Sequence, residues 1–224
     1  MGREERVSFP IGVQGLLCPA ASQSGNSKNP GVSDVSGIAG SSFVCCPRQT
    51  EKRVRDIFCF LCYTGLRFSE LQRLKKPDID LDRAEVHVKG KHTRTLPLNG
   101  YAAEIVQRYE NKYYAKDAAF PVMSLVTFNK HLKNLGKALG FDRMVADREG
   151  REAPLFAQLA AGTAINTFIA NAIRLGVSGE VIRYYTGVAE KKRLESIRES
   201  LMEEARDRFD RHKAISPGDR EDIR

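Results

Sequence analysis

The chain has 224 residues, enough for one domain with a sizeable core, and carries a formal net charge of +8. A basic balance of this size favours a polyanionic partner, nucleic acid before a membrane surface. No stretch reaches the roughly 18 apolar residues that a transmembrane helix needs. The first residues also lack the pattern of a signal peptide, so we expect a cytoplasmic protein without membrane contact.

The cysteines do not indicate a metal site or a redox centre. There are five of them, and they follow no metal-ligand spacing. Cys59 and Cys62 form a CxxC pair, but the pair lies inside an apolar helical run, where buried thiols are expected. We therefore predict no metal and no other cofactor, in a reducing compartment.

Composition divides the chain into three parts. Gly, Ser and Pro supply 19 of the first 50 residues, without a sustained helix or strand period. This composition predicts a disordered segment over residues 1–50. A folded domain is predicted over residues 51–212, followed by a frayed tail over residues 213–224.

The patterning of the folded part predicts an α+β fold that is mainly helical. Alternating residues at 85–88 and 93–98, joined by a tip with two lysines, predict a β-hairpin. Residues 142–152 are interpreted as a charged loop. Helices are predicted over residues 51–64, 69–75, 127–139, 163–175, 180–185 and 190–212. Ser178 is predicted to cap the helix at 180–185, and Asn99 to cap a further helix.

The stretch TGLRFSEL, residues 64–71, is the first candidate site. Gly65 breaks the helical pattern at a position that suits a sharp turn, and Arg67 starts the helix that follows. An arginine in a first helical turn, between apolar neighbours, can bind an anion with two parallel hydrogen bonds. The alternative is a structural corner in which Arg67 pairs with Glu70 or Asp78.

Three segments together resemble the catalytic domain of the tyrosine recombinase (phage integrase) family, most nearly the integrases of bacterial mobile elements. They are CYTGLRFSEL, KGKHTRTLPLN and TFIANAIRLGVSGEVIRYYTG. The resemblance covers residues 51–209 and implies that family's fold, with a small sheet, and DNA as the partner. It also implies a chemistry without metal, in which a tyrosine attacks a DNA phosphodiester, two arginines hold the phosphate and a hairpin lysine protonates the leaving oxygen.

The resemblance assigns roles to several residues of this chain. Arg67 matches the family's first arginine, and Glu70 matches the acidic residue that braces it. Lys89 matches the hairpin lysine, with Lys91 as the alternative. Contacts with DNA are expected from Arg67 and from the hairpin residues Lys89, Lys91, His92 and Arg94.

The remaining family positions have lost their reacting groups. Gly162 stands at the histidine position and Ile165 at the second arginine. Val188 stands at the second histidine-type position, and Ile197 at the nucleophilic tyrosine. Because each lost transition-state donor typically costs about 3–4 kcal/mol, we do not expect a working recombinase.

The sequence therefore predicts a catalytically inactive or accessory DNA-binding protein of a bacterial mobile element. The first alternative is residual strand cleavage through Tyr184 or Tyr185. The second is an interaction protein without DNA function, or a decaying gene fragment. Further partners would be an active recombinase or a second copy of the chain bound through the C-terminal helix, whose apolar stripe comprises Leu194, Ile197, Leu201 and Phe209. Since residues 1–50 do not pattern as the helical domain that usually completes the family's DNA clamp, we expect weak, salt-dependent affinity.

Overall fold

The computed structural model describes residues 49–90, 93–121, 123–146, 151–187, 194–199 and 201–202. These residues form a mainly helical domain with two small antiparallel sheets. The helices are α1 (Gln49–Thr64), α2 (Phe68–Leu71), α3 (Gly100–Glu110), α4 (Leu125–Ala138), α5 (Leu155–Gln158), α6 (Ala161–Arg174) and α7 (Gly179–Thr186). The strands are β1 (Ile79–Asp80), β2 (Glu85–Val88), β3 (Arg94–Pro97), β4 (Met144–Ala146) and β5 (Glu152–Pro154).

Helix α1 is the centre of the core. Its residues are buried without interruption from Val54 to Thr64, and it packs against α3, α4 and α6. A helix that is apolar on every side requires neighbours on every side. Its buried carboxylate, Asp56, is satisfied by the Tyr109 hydroxyl at 2.9 Å and by the Arg108 guanidinium at 3.2 Å. The predicted helix is confirmed and begins two residues earlier than expected.

The predicted hairpin is confirmed and belongs to a sheet of three strands. Strand β2 pairs with β3 in the antiparallel register Val86↔Leu96 and Val88↔Arg94. Alternate residues turn inward, so Val86, Val88 and Leu96 are buried. The two-residue strand β1 pairs with the other edge of β2 and was not predicted. At the tip, Lys91 and His92 lie outside the described residues.

The helices after the sheet have the predicted type, with small shifts at their ends. Asn99 caps α3, because its side-chain oxygen accepts a hydrogen bond from the Ala102 N–H at 2.9 Å. Helix α4 begins two residues before its predicted start, at Leu125, since Ser124 caps it through the Thr127 N–H at 3.1 Å. Helix α6 likewise begins two residues early, and α7 is capped by Ser178 as predicted.

Two predicted segments need correction. The helix expected over residues 69–75 ends at Leu71, after a single turn. The chain then continues to the 3-10 turn Lys76–Asp78. The charged loop expected over residues 142–152 contributes strands β4 and β5, which form the second sheet. Three-residue strands are too short to produce a detectable alternation.

The C-terminal apolar stripe packs on its own domain. Residues 194–199 and 201–202 are helical, and Ile197 is buried. Leu194 and Leu201 are partly buried against the same cluster, so this part of the stripe is occupied within the chain. Phe209, the predicted disordered segment up to residue 48 and the predicted tail lie outside the described residues. None of the helices in the described part combines the length and apolarity needed to cross a bilayer.

Candidate functional site

Arg67 stands at a tight corner between two helices. Gly65 has a φ of +68°, and a Cβ placed there would lie 2.7 Å from the Phe168 ring, so the corner requires glycine. Arg67 follows in an extended conformation as the residue that precedes α2. Its side chain is exposed to solvent. The corner therefore presents a guanidinium at the surface.

Arg67 is connected to the far end of the chain. Its Nη2 donates a hydrogen bond to the Gly187 carbonyl oxygen at 2.7 Å, across 120 residues of sequence. Gly187 ends α7 in the left-handed conformation, with a φ of +60°. The backbone N–H of Arg67 donates to Glu70 Oε2 at 2.9 Å. The Glu70 carboxylate therefore braces the corner through the backbone N–H of Arg67. The Arg67 guanidinium is held by the Gly187 carbonyl oxygen.

Glu70 forms its ion pair with Arg94 and not with Arg67. Arg94 Nη1 and Nη2 donate to the two carboxylate oxygens at 2.8 and 3.0 Å, in the bidentate geometry that planar groups favour. Burial would raise the pKa of Glu70, but hydrogen bonds from Arg94 and from the Arg67 N–H outweigh it and lower that pKa. The predicted alternative, a direct Arg67–Glu70 side-chain pair, is replaced by this three-residue arrangement.

Arg94 is an internal brace, which corrects the expectation of a DNA contact. Its side chain is only 3% exposed. Besides Glu70 it donates to the Tyr185 carbonyl oxygen, from Nε at 3.1 Å and from Nη2 at 3.0 Å. The sequence contained a signal for this position: Arg94 is in phase with Leu96 and Leu98, and so belongs to the inward face of its strand.

Lys89 lies on the outer side of the same structure. Its side chain is 71% exposed, and its amine pairs with the buried carboxylate of Asp78. Burial would raise the pKa of Asp78, but hydrogen bonds from Lys89 and from the Lys75 N–H lower it. Lys89 directly follows Val88, the register partner of Arg94. Through this strand pairing, Lys89 is connected to Arg94, the residue that forms the ion pair with Glu70.

Sequence reasoning missed one further cation. Arg73 Nε donates to the Ser69 carbonyl oxygen at 3.2 Å, which folds the side chain back along α2. Its guanidinium lies beside the hairpin tip, 3.7 Å from where a Cβ on Gly90 would stand. We call the exposed residues Arg67, Arg73 and Lys89 the cationic corner. No motif singled out Arg73, because only the folding of the hairpin against α2 brings it there.

Comparison with known proteins agrees with this geometry. Residues 43–148, just under half of the chain, match the phage integrase family. The tyrosine recombinase XerA of Thermococcus kodakarensis is 44% identical over 63 residues, which cover 27% of this chain and 22% of that protein. XerC of Roseiflexus castenholzii is 44% identical over 64 residues, covering 27% and 20%. The matches span about a fifth of the length of these relatives.

Solved recombinase structures share the fold of the whole described domain. The XerA recombinase crystal structure matches with a TM-score of 0.58 at 18% identity, covering 80% of this chain and 63% of that one. The Tn1549 transposon integrase, in complex with a circular intermediate DNA, matches with a TM-score of 0.55 at 19% identity, covering 85% and 68%. The fold of this chain is therefore that of a tyrosine recombinase catalytic domain. The predicted fold class is confirmed, and the predicted resemblance to the phage integrase family is confirmed over residues 43–148.

The positions that the resemblance equates with the family's remaining reacting groups lie in different surroundings. Gly162 is exposed in the first turn of α6, where an added Cβ would meet no atom within 4 Å. Ile165 and Ile197 are 6% and 3% exposed and belong to one apolar group, which we call the isoleucine cluster. Its members are Ile165, Ile169, Ala170, Ala172, Ile182 and Ile197. Val188 lies outside the described residues.

The two tyrosines near the end of α7 differ in solvent exposure. Tyr185 is buried and stacks on Phe168, with ring centroids 5.6 Å apart, and burial raises the pKa of its hydroxyl well above the ordinary range. Tyr184 is 53% exposed, and its hydroxyl donates to the Thr95 carbonyl oxygen at 3.1 Å. Tyr185 is therefore a core residue, whereas Tyr184 lies at the surface beside β3.

Proposed function

We propose that this chain is a recombinase-family protein of a bacterial mobile element that holds DNA at the cationic corner but does not cut it. The observation that carries the proposal is the burial of Ile165 and Ile197 in one apolar cluster. These are the positions at which the family resemblance puts the second arginine and the nucleophile. An apolar cluster offers neither a phosphate ligand nor a nucleophile to a DNA strand.

Binding is supported by the exposed cations of the corner. Among the described residues, the Arg67 guanidinium has one hydrogen bond, to the Gly187 carbonyl oxygen. Its remaining N–H groups are available to a phosphate, for which a planar guanidinium is well suited. Arg73 and Lys89 add two exposed positive charges at the hairpin tip. Such contacts are electrostatic, so the affinity should fall steeply with salt.

Loss of cleavage is supported by the energetics of phosphoryl transfer. One missing transition-state donor costs about 3–4 kcal/mol, or roughly a thousandfold in rate. Without the tyrosine the covalent intermediate cannot form by the family's route. An active recombinase acting on the same DNA is the partner that this role implies. Self-association through residues 194–202 is not part of the proposal, because that segment packs on its own domain.

The deciding experiment uses a nicked duplex that traps any covalent protein–DNA intermediate. The full chain should shift this duplex in a native gel at about 50 mM salt, where electrostatic binding is strongest, and leave no adduct after denaturation. An adduct that survives denaturation would contradict the proposal. Absence of binding at that salt would instead favour an interaction protein without DNA function.

Arg67 provides the matched variants. Arg67→Ala should weaken duplex binding by about tenfold or more, because a charge-assisted contact is lost. Arg67→Lys should recover only part of the affinity, since an ammonium group cannot form two parallel bonds. Circular dichroism of each variant separates lost binding from lost structure.

Residual cleavage through Tyr184 is the second candidate. The Tyr184 ring is exposed beside β3. Its helix, α7, leads directly into Gly187, whose carbonyl oxygen accepts the hydrogen bond from Arg67. If the native chain forms an adduct, Tyr184→Phe should abolish it and Tyr185→Phe should not. Both substitutions keep the ring and remove only the hydroxyl. An adduct that persists in the Tyr184→Phe variant would exclude Tyr184 as the nucleophile.

A further inference from the structure

A second feature of the surface lies away from the reacting positions, at the turn that follows α3. Tyr113 is 93% exposed, which is exceptional for an aromatic side chain in a folded domain. The Lys76 amine lies 4.9 Å from the centre of the ring, on one face. The same amine donates to the Glu110 carbonyl oxygen at 2.6 Å, which fixes the lysine in that position. The ring is thus supported from one side and open on the other.

Further lysines belong to the same turn or to the segment bridged to it. Lys112 lies next to Tyr113 in sequence and packs its amine 4.6 Å from the centre of the Tyr109 ring. Lys116 follows in the 3-10 turn Ala115–Asp117, and Lys75 is bridged to Ala118 at the end of that turn. We call the group Lys75, Lys76, Lys112, Tyr113 and Lys116 the Tyr113 platform. Glu110 and Asp117 oppose its four positive charges with two negative ones.

The turn that carries Lys116 has an unfavourable backbone. Lys116 and Asp117 have φ angles of 58° and 56°, in the left-handed region that glycine and asparagine normally supply. Two consecutive residues of this kind persist only where surrounding contacts impose them, and such positions concentrate at functional sites. Here the Lys75 bridge and the hydrogen bond from the Ala119 N–H to the Leu74 carbonyl oxygen hold the turn.

We propose that the Tyr113 platform binds single-stranded nucleic acid, with an unpaired base stacked on the open face of the Tyr113 ring. A flat exposed ring among cations has the two elements of single-strand recognition, a stacking surface and charges for the flanking phosphates. A duplex does not fit this surface equally well, because its bases already stack on one another and present only their edges. This function is additional to the duplex binding assigned to the cationic corner.

The absence of tryptophan from the chain permits a direct test. Tyr113→Trp introduces a single indole at the centre of the platform. Titration with an oligothymidylate of about 12 nucleotides should quench its fluorescence, because a stacked base deactivates the indole. The control is Val126→Trp, at a site that is 80% exposed in α4 and carries no lysine cluster of this kind. Equal quenching in the two variants, or none in either, would overturn the proposal.

Affinity measurements give an independent test on the native surface. Tyr113→Ala should weaken binding of the labelled oligothymidylate by roughly tenfold, the usual effect of losing one stacked base. Tyr113→Phe should bind nearly as well as the native chain, since the ring is kept. Single-strand affinity that is unchanged in Tyr113→Ala would refute the platform.

The two sites are separated by measuring each variant on both ligands. Arg67→Ala should lower duplex affinity and leave oligothymidylate affinity unchanged, and Tyr113→Ala should do the opposite. If the native chain does not bind duplex DNA, the proposed function is refuted and the proposal for the Tyr113 platform is unaffected. Oligothymidylate binding that depends on Arg67 but not on Tyr113 would refute the platform alone.

Discussion

The cationic corner and the isoleucine cluster belong to one domain but differ in how their side chains are satisfied. Next to Arg67 in the corner, Glu70 and Arg94 form a bidentate ion pair, and Arg94 also donates to the Tyr185 carbonyl oxygen. In the cluster, Ile165 and Ile197 pack against apolar residues of the same domain. Both arrangements are stable, one through paired charges and the other through burial. The same fold therefore accommodates a charged corner and an apolar cluster.

The contacts around Glu70 and Arg94 give these motif residues a structural role that does not depend on catalysis. Arg94 joins the hairpin to Glu70 in α2 and to the Tyr185 carbonyl at the end of α7. These contacts connect three segments, so the residues that make them contribute to stability whether or not DNA is cut. Ile165 and Ile197 contribute to stability through the burial of their apolar side chains. Retained motif residues are for this reason weak evidence for retained catalysis.

The largest effect is expected from Arg94→Ala. The substitution leaves the Glu70 carboxylate without its partner in a site where Arg94 is 3% and Glu70 13% exposed. Breaking a buried pair from one side costs about 3–5 kcal/mol. Urea denaturation should register this loss in the free energy of unfolding. Arg94→Lys should restore only part of it, and a loss below about 1 kcal/mol, typical of surface pairs, would mean that the pair is solvent-screened.

Truncation in the isoleucine cluster should have the next largest effect. Ile197→Ala removes three carbons from a side chain that is 3% exposed and should lower the free energy of unfolding by about 3 kcal/mol. The same measurement on Arg198→Ala, at the exposed neighbouring position, serves as the control and should change little. A small effect at Ile197 would contradict the packing of this helix on its own domain.

Acid should destabilise the corner in a predictable direction. The pKa of Glu70 is lowered in the folded state from its ordinary value of 4.5, so its stabilising contribution is complete above that pH and is lost as pH falls through the lowered pKa. Denaturation midpoints between about pH 6 and pH 3 should therefore decline less in Glu70→Gln than in the native chain. Because the pKa of Asp78 is lowered too, Asp78→Asn separates the two carboxylates. An equal decline in Glu70→Gln and in the native chain would contradict a Glu70 contribution.

Lys89→Ala should have the smallest effect on stability. The amine is 71% exposed, so its pair with Asp78 is screened by water and contributes less than about 1 kcal/mol. In duplex binding, however, the substitution should reduce the slope of log affinity against log salt by about one. Lys133→Ala, an exposed lysine of α4, is the control. An unchanged slope would remove Lys89 from the DNA contacts.

Local patterns predicted most of the architecture. The apolar residues of α1 and the alternation of β2 and β3 are strong local signals, and the capping residues Asn99 and Ser178 defined two helix starts. Strands β1, β4 and β5 were missed, because two or three residues cannot establish a period. Their pairing is decided by neighbours that become adjacent only after folding.

The candidate site was predicted less completely than the fold. The turn before Arg67 was predicted from Gly65, but the bond from Arg67 to Gly187 joins residues 120 positions apart. The interior position of Arg94 was readable from its phase with Leu96, yet a charged residue near a hairpin tip is more often exposed. Arg73 carried no local signal, since its place depends on how the hairpin folds against α2.

The contact between Arg67 and Gly187 also fixes an order of assembly during synthesis. Glu70 meets Arg94 after only 24 further residues, so that pair is available early in translation. Gly187 follows Arg67 by 120 residues, an interval on the order of 10 s at typical bacterial elongation rates. Until α7 has left the ribosome, the carbonyl groups of Tyr185 and Gly187 are missing. A nascent chain that stops earlier thus presents both arginines without these partners, and only the finished domain holds them in place.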